Sequence, residues 1–111
     1  MKGTITNKDI FNSSNATSIK DAGKEGLKCK LFGYGEKEVE QLDKETGEVI
    51  QQKVSVIKTD KGPIAGASEV IARRLNELSE FVTDEELVEG IDIEFVEIKA
   101  GRGTAVSFNL L

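Results

Sequence analysis

From Leu27 to Tyr34 the chain alternates like a strand: Leu27, Cys29 and Leu31 fall on one side and Lys28, Lys30, Phe32 and Tyr34 on the other. The first side is a core face. The second gathers two ammonium groups and two aromatic rings in one row. The strand is expected over about residues 26 to 41, turning through Asp43-Lys44-Glu45-Thr46-Gly47 and returning as residues 48 to 59. Glu36 to Gln41 is polar on both sides, so 36–48 is expected as a projecting hairpin. On the return, Val54 and Val56 share one face and Lys53, Ser55 and Ile57 the other, which lets Lys53 extend the basic row.

Elsewhere the pattern is more varied. Residues 2 to 6 read as a short edge strand, with Asn7 capping one turn that carries Ile10 and Phe11. Residues 12–25 read as a polar loop around a lone Ile19. After Gly62-Pro63, the positions Ile64, Ser68, Ile71, Leu75, Leu78 and Val82 recur at helical spacing, predicting one helix over roughly 63 to 82. Arg73 and Arg74 lie off that stripe and read as surface. Thr83-Asp84-Glu85-Glu86 is a capping box for a short acidic turn that Gly90 ends. Ile91, Ile93 and Phe95 alternate inward while Val96 and Ile98 fall in the opposite phase, which predicts a bulge or a strand that switches faces. A hairpin tip at residues 99 to 103 leads into Thr104, Val106, Phe108 and Leu110, alternating cleanly. This order predicts a single domain over 1–111, α+β and mostly β. It is OB-fold-like: a small partly open barrel with one helix after the third strand and a long β-hairpin. Other α+β sheets with one covering helix fit the same order.

Chemistry is limited by what is missing. There is no histidine, which zinc sites and acid/base centres near neutral pH usually recruit, and a single cysteine, Cys29, leaves one soft ligand and no internal disulfide; carboxylates alone stay open as catalytic groups but read as solvated surface. Gly101-Arg102-Gly103 sits between strands rather than opening a helix, so it fails as a phosphate loop. The expectation is a non-enzyme with no metal and no cofactor. Asn15-Ala16-Thr17 reads as polar loop rather than a glycosylation site. The opening Met1-Lys2-Gly3-Thr4 has no apolar signal core and no long apolar run follows, pointing to the cytoplasm and away from membranes.

Net charge is −5, but it is unevenly spread. Residues 1 to 34 hold six Lys against Asp9, Asp21 and Glu25, or +3, whereas residues 79 to 97 hold eight carboxylates and no cation, or −8. A polarised domain of this kind can offer one positive groove while its acidic remainder repels duplex DNA. Rings beside lysines suit single-stranded nucleic acid, whose bases stack while its phosphates meet cations. The candidate contacts are Phe32 and Tyr34 for bases, with Lys28, Lys30, Lys53, Lys99 and Arg102 for phosphates. A plainer reading stands beside this one: two Lys on a solvated hairpin face, Phe32 under a loop, and a solvated Arg102 at a tip.

Several phrases resemble the single-stranded DNA-binding proteins of small protein-primed podoviruses. They are Ile10-Phe11-Asn12 before a polar loop, the Gly26 to Tyr34 strand, Asp60-Lys61-Gly62 leading to an Ala-rich helix, and the closing run from Lys99 to Leu110. The resemblance spans roughly residues 10 to 111. It implies coating of displaced strands during phage DNA replication in the bacterial host cytoplasm, without sequence preference or cofactor, alongside replication proteins. Stacking tyrosines of that family carry over only to Tyr34, which leaves Phe32 as the second ring.

Two readings from other classes remain. One is a small acidic interaction protein or inhibitor acting through the band from Glu80 to Glu97; the other is a virion component assembling through exposed sheet edges. The oligomeric state, monomer or dimer, is left open by the sequence.

Overall fold

The computed structural model describes residues 2–111. Its strands are β1 (Lys2–Gly3), β2 (Thr17–Ser18), β3 (Lys28–Leu42), β4 (Val49–Thr59), β5 (Gly62–Gly66), β6 (Ile91–Ala100) and β7 (Gly103–Leu110). Its helices are α1 (Asn7–Phe11), α2 (Ile19–Glu25), α3 (Glu69–Ser79) and α4 (Asp84–Glu89), with a 3-10 turn at Asn12–Asn15. The strands form one sheet in the order β2-β5-β4-β3-β6-β7, with β1 paired to β3; only β2 and β5 run parallel. The architecture is α+β and mostly strand, a curled, open half-barrel. Among the described residues no helix is long and apolar enough to cross a membrane.

The core lies on the inner face of the sheet. Cys29, Leu31 and Tyr34 of β3, Ile57, Ile64, Ile93, Phe95, Val106 and Phe108 meet Ile19 and Ala22 of α2, Ile71, Leu75 and Leu78 of α3, and Leu87 of α4. Phe95 and Phe108 pack edge to face with centroids 6.2 Å apart. A second, smaller burial sits on the outer face, where Ile5 of the N-terminal segment and Val56 of β4 are both buried outside that cluster. Thr6, not Asn7, caps α1: its hydroxyl accepts from Asp9 N while the Asp9 carboxylate accepts from Thr6 N at 2.9 Å and from Lys58 Nζ at 3.3 Å. These bonds hold the segment against β4.

The expected helix over 63 to 82 starts six residues late. Thr59 Oγ1 donates to Gly62 O at 2.7 Å and accepts from Lys61 N, closing a tight turn that sends the chain back along β4 as β5. Pro63, opposite Lys58, follows the closing pair of that hairpin, where a strand N–H faces away from its partner, so its missing donor costs no ladder bond. The helix waits for Ser68, which is extended and accepts from Ile71 N. Residues 12–25 are likewise not a loop. Ser18 caps α2 by accepting from Asp21 N at 3.1 Å, Ile19, Ala22 and Gly23 are buried, and Gly26 closes the helix at φ +61°. Neither the bulge nor the face switch expected in β6 occurs: the β6–β7 register is unbroken from Ile93↔Leu110 to Ala100↔Gly103, and Val96 and Ile98 lie on the outer face.

Candidate nucleic-acid interface

A bulge lies instead in β3, and it divides the expected binding row. Leu31 pairs with Thr59 but Gly33 pairs with Lys58, so Phe32 is an extra residue and the side-chain phase flips. Leu31 and Tyr34, three apart, then share the inner face. Tyr34 sits opposite Ile57 at only 8% exposure, within the core, so it offers no ring to a base. Its hydroxyl has no hydrogen-bond partner among the described residues; the Ser79 hydroxyl beside it donates to Asn76 O. Burial pushes the Tyr34 pKa up.

Lys28 and Lys30 stay on the outer face, but not as free cations. They stand across the ladder from Glu94 and Asp92, with Nζ–carboxylate distances of 3.8 and 3.1 Å. What reads in one strand as a basic row is, across two strands, a neutral ladder. Phe32 is half-buried, its ring so close to Gly90 that a Cβ there would stand 2.8 Å from Phe32 Cε1. Lys53 lies on the inner face, opposite Glu38 and sharing a cleft with Glu36 and Glu69. Its partner Glu38 is ten residues along β3 from Lys28, about 33 Å of strand at ~3.3 Å per residue. The structure therefore does not bring Lys28, Lys30, Phe32, Tyr34 and Lys53 into one surface. Burial also pushes the Cys29 thiol up to about 11, keeping it protonated and unreactive.

Lys99 and Arg102 fare differently. In β6 the inner phase runs Ile93, Phe95, Glu97, Lys99, and in β7 Thr104, Val106, Phe108. Beyond Phe95 that face leaves the core and forms one wall of a cleft of about 430 Å³. The cleft is the seam of the half-barrel. The free edge of β7 at Thr104–Val106 faces Ser18 of β2, Gly66 at the end of β5, Ala67 and Ser68. Lys20 and Lys24 of α2 also line it, with Glu97 as its one carboxylate. Lys99 pairs with Thr104 at its rim, and Arg102 stands at the adjoining hairpin tip, where Gly101 takes φ +58°. Among the described residues, none of Lys20, Lys24, Lys99 and Arg102 is in an ion pair. All four are exposed.

Lys20 and Lys24 were not among the candidates read from the sequence. The signal was present: Ser18-Ile19-Lys20-Asp21 is a helix-capping pattern and Gly26 a helix stop, which together put Lys20 and Lys24 on the polar face of a short helix. No protein-family model, curated protein or solved structure matches the chain.

Proposed function

We propose that this protein binds single-stranded DNA without sequence preference and without catalysis, its open half-barrel being an OB-like platform. The supporting observation is the seam cleft, where Lys20, Lys24 and three hydroxyls (Ser18, Ser68, Thr104) share the lining with a single carboxylate, with Lys99 and Arg102 on the adjoining hairpin, in a chain whose net charge is negative. Lys20, Lys24, Lys99 and Arg102 are the phosphate contacts in this reading, with Lys28, Lys30 and Lys53 set aside. With Tyr34 in the core, affinity is dominated by phosphate rather than by stacking. Four phosphate contacts correspond to a slope of log affinity against log salt of about −3. The acidic remainder of the surface disfavours duplex, whose charge density is higher. The resemblance to phage proteins that coat displaced strands gives the reading its setting: DNA replication in a bacterial cytoplasm, with replication proteins as neighbours.

The test is fluorescence anisotropy of a labelled oligo-dT at low and moderate salt with duplex of equal length as competitor. Saturable, salt-sensitive binding that duplex fails to displace supports the reading, and no binding at low salt overturns it.

One observation keeps the second reading in play. Asp92 and Glu94 are spent on Lys30 and Lys28, but Glu80, Asp84, Glu85, Glu86 and Glu89 are all exposed around Phe81 and Val88, which are exposed too. An oligonucleotide-negative result points to that acidic and apolar surface as a protein-binding site.

A further inference from the structure

α3 runs alongside the free edge of β7. At its start Ser68 lines the seam cleft with Thr104 and Val106. Halfway along, Arg74 Nε donates to Phe108 O at 2.9 Å, and just past its end Phe81 lines a small hollow with Leu110. The crease between helix and strand is not filled. The seam cleft of about 430 Å³ is followed by a depression of about 200 Å³ where Ser107 faces Val70, Arg73 and Arg74. A last hollow of about 80 Å³ lies between Leu78, Phe81 and Leu110. Thr104 to Val106 wall the first, Ser107 the second, and Phe108 and Leu110 the third, so the three follow one another down β7.

Charge along this line favours a polyanion. Arg73 is exposed and, among the described residues, in no ion pair. Glu77, the carboxylate of the last two hollows, is held by Arg74 at 3.1 Å. With Lys20, Lys24 and the Lys99 and Arg102 hairpin at the other end, six cations stand along the crease against Glu77 and Glu97. The favourable stretch ends at Phe81, whose ring is 78% exposed, because Glu80, Asp84 and Glu85 lie exposed beyond it.

We infer that one single strand lies along this crease, from the Lys99 and Arg102 hairpin through the seam and past Arg73, and ends with a base against the Phe81 ring. The path rests on the single-strand-binding reading and adds two residues to it. Arg73 becomes a fifth phosphate contact, and Phe81 supplies the exposed ring that Tyr34 does not. Phe11 is as exposed, at 82%, but sits on α1 away from the crease. From Thr104 to Leu110 is about 20 Å of strand at ~3.3 Å per residue. That length holds about six nucleotides at the ~3.4 Å per nucleotide of a stacked strand. The carboxylates beyond Phe81 turn the strand away, so the site is short and bounded.

The test is binding of oligo-dT of increasing length to wild type, Phe81→Ala, Arg73→Gln and Phe11→Ala. Phe81 and Arg73 are both exposed, so neither change disturbs the core. Wild-type affinity climbs with length to about six nucleotides and then levels. On an oligomer just longer than that, Phe81→Ala weakens at least about fivefold with its salt slope unchanged. Arg73→Gln makes the slope shallower by about 0.7, and Phe11→Ala matches wild type. Phe81→Trp, in a chain with no other tryptophan, binds like wild type and has its fluorescence quenched by the bound base. If wild type binds while Phe81→Ala and Arg73→Gln both match it and Phe81→Trp is not quenched, the path along β7 is overturned and the seam stands. Wild type binding no oligomer at low salt overturns the single-strand reading and this path with it.

Discussion

Lys30 Nζ stands 3.1 Å from Asp92 Oδ1 across the β3–β6 ladder, and Lys28 faces Glu94 one rung away in the same way. Both pairs are largely solvated, so each contributes ~0–1 kcal/mol to stability. Their larger effect is on charge. Asp92→Asn with Glu94→Gln should cost less than about 1 kcal/mol in urea denaturation. Oligo-dT affinity should rise, because two lysines are released and the net charge becomes less negative.

Tyr34 carries a buried hydroxyl without a partner, which costs about 1–3 kcal/mol in desolvation. Tyr34→Phe should therefore be neutral or stabilising, by up to ~1 kcal/mol, and leave oligonucleotide affinity unchanged. Tyr34→Ala should destabilise by about 3–5 kcal/mol through the cavity it opens. A stacking role at this position would instead show as affinity lost in the Ala variant and kept in the Phe variant, at unchanged stability.

Gly33 is where β1 pairs with β3 and the chain continues closely past it as Thr4 and Ile5. A Cβ there would stand 2.8 Å from Ile5 N and 2.9 Å from Lys2 O and Thr4 N, backbone atoms that cannot step aside as a side chain would. Gly33→Ala should cost about 1–3 kcal/mol. The N-terminal segment should also loosen, read as faster proteolysis between Thr4 and Phe11.

The Asp9 carboxylate is held below its usual pKa by the Thr6 backbone N–H first, with the Thr6 hydroxyl and Lys58 adding to this against some desolvation. Its contribution is thus fully present above the unfolded value near 4 and lost as pH falls through the lower folded value. Asp9→Asn should flatten the acid limb of the stability profile below about pH 4 and leave the profile above it unchanged in shape.

How much of this was legible in the chain depended on whether the cause was local. The alternation of Thr104, Val106 and Phe108, the stripe Ile71, Leu75 and Leu78, and the Thr83–Glu86 capping box each rest on neighbours a few residues away, and each reads correctly. The start of α3 does not, because Ile64 satisfies a helical spacing and a strand equally and only the Thr59–Gly62 turn decides between them. Tyr34 is the instructive failure. Its face is set by the extra residue Phe32, and that bulge depends on partners from residues 2 to 3 and 58 to 59, which no window around Tyr34 contains. Glu94 and Asp92 neutralise Lys28 and Lys30 from more than sixty residues away for the same reason. The seam cleft is equally non-local, joining residues 18–24, 66–68 and 97–106.

The account turns on which cations meet phosphate, and the salt dependence of oligo-dT binding reads that directly. Lys20→Gln/Lys24→Gln/Lys99→Gln should make the slope of log affinity against log salt shallower by about 2, at ~0.7 per lost contact, while Lys28→Gln/Lys30→Gln leaves it within about 0.5 of wild type. A double variant that loses the slope while the triple variant keeps it would contradict the seam as the nucleic-acid path.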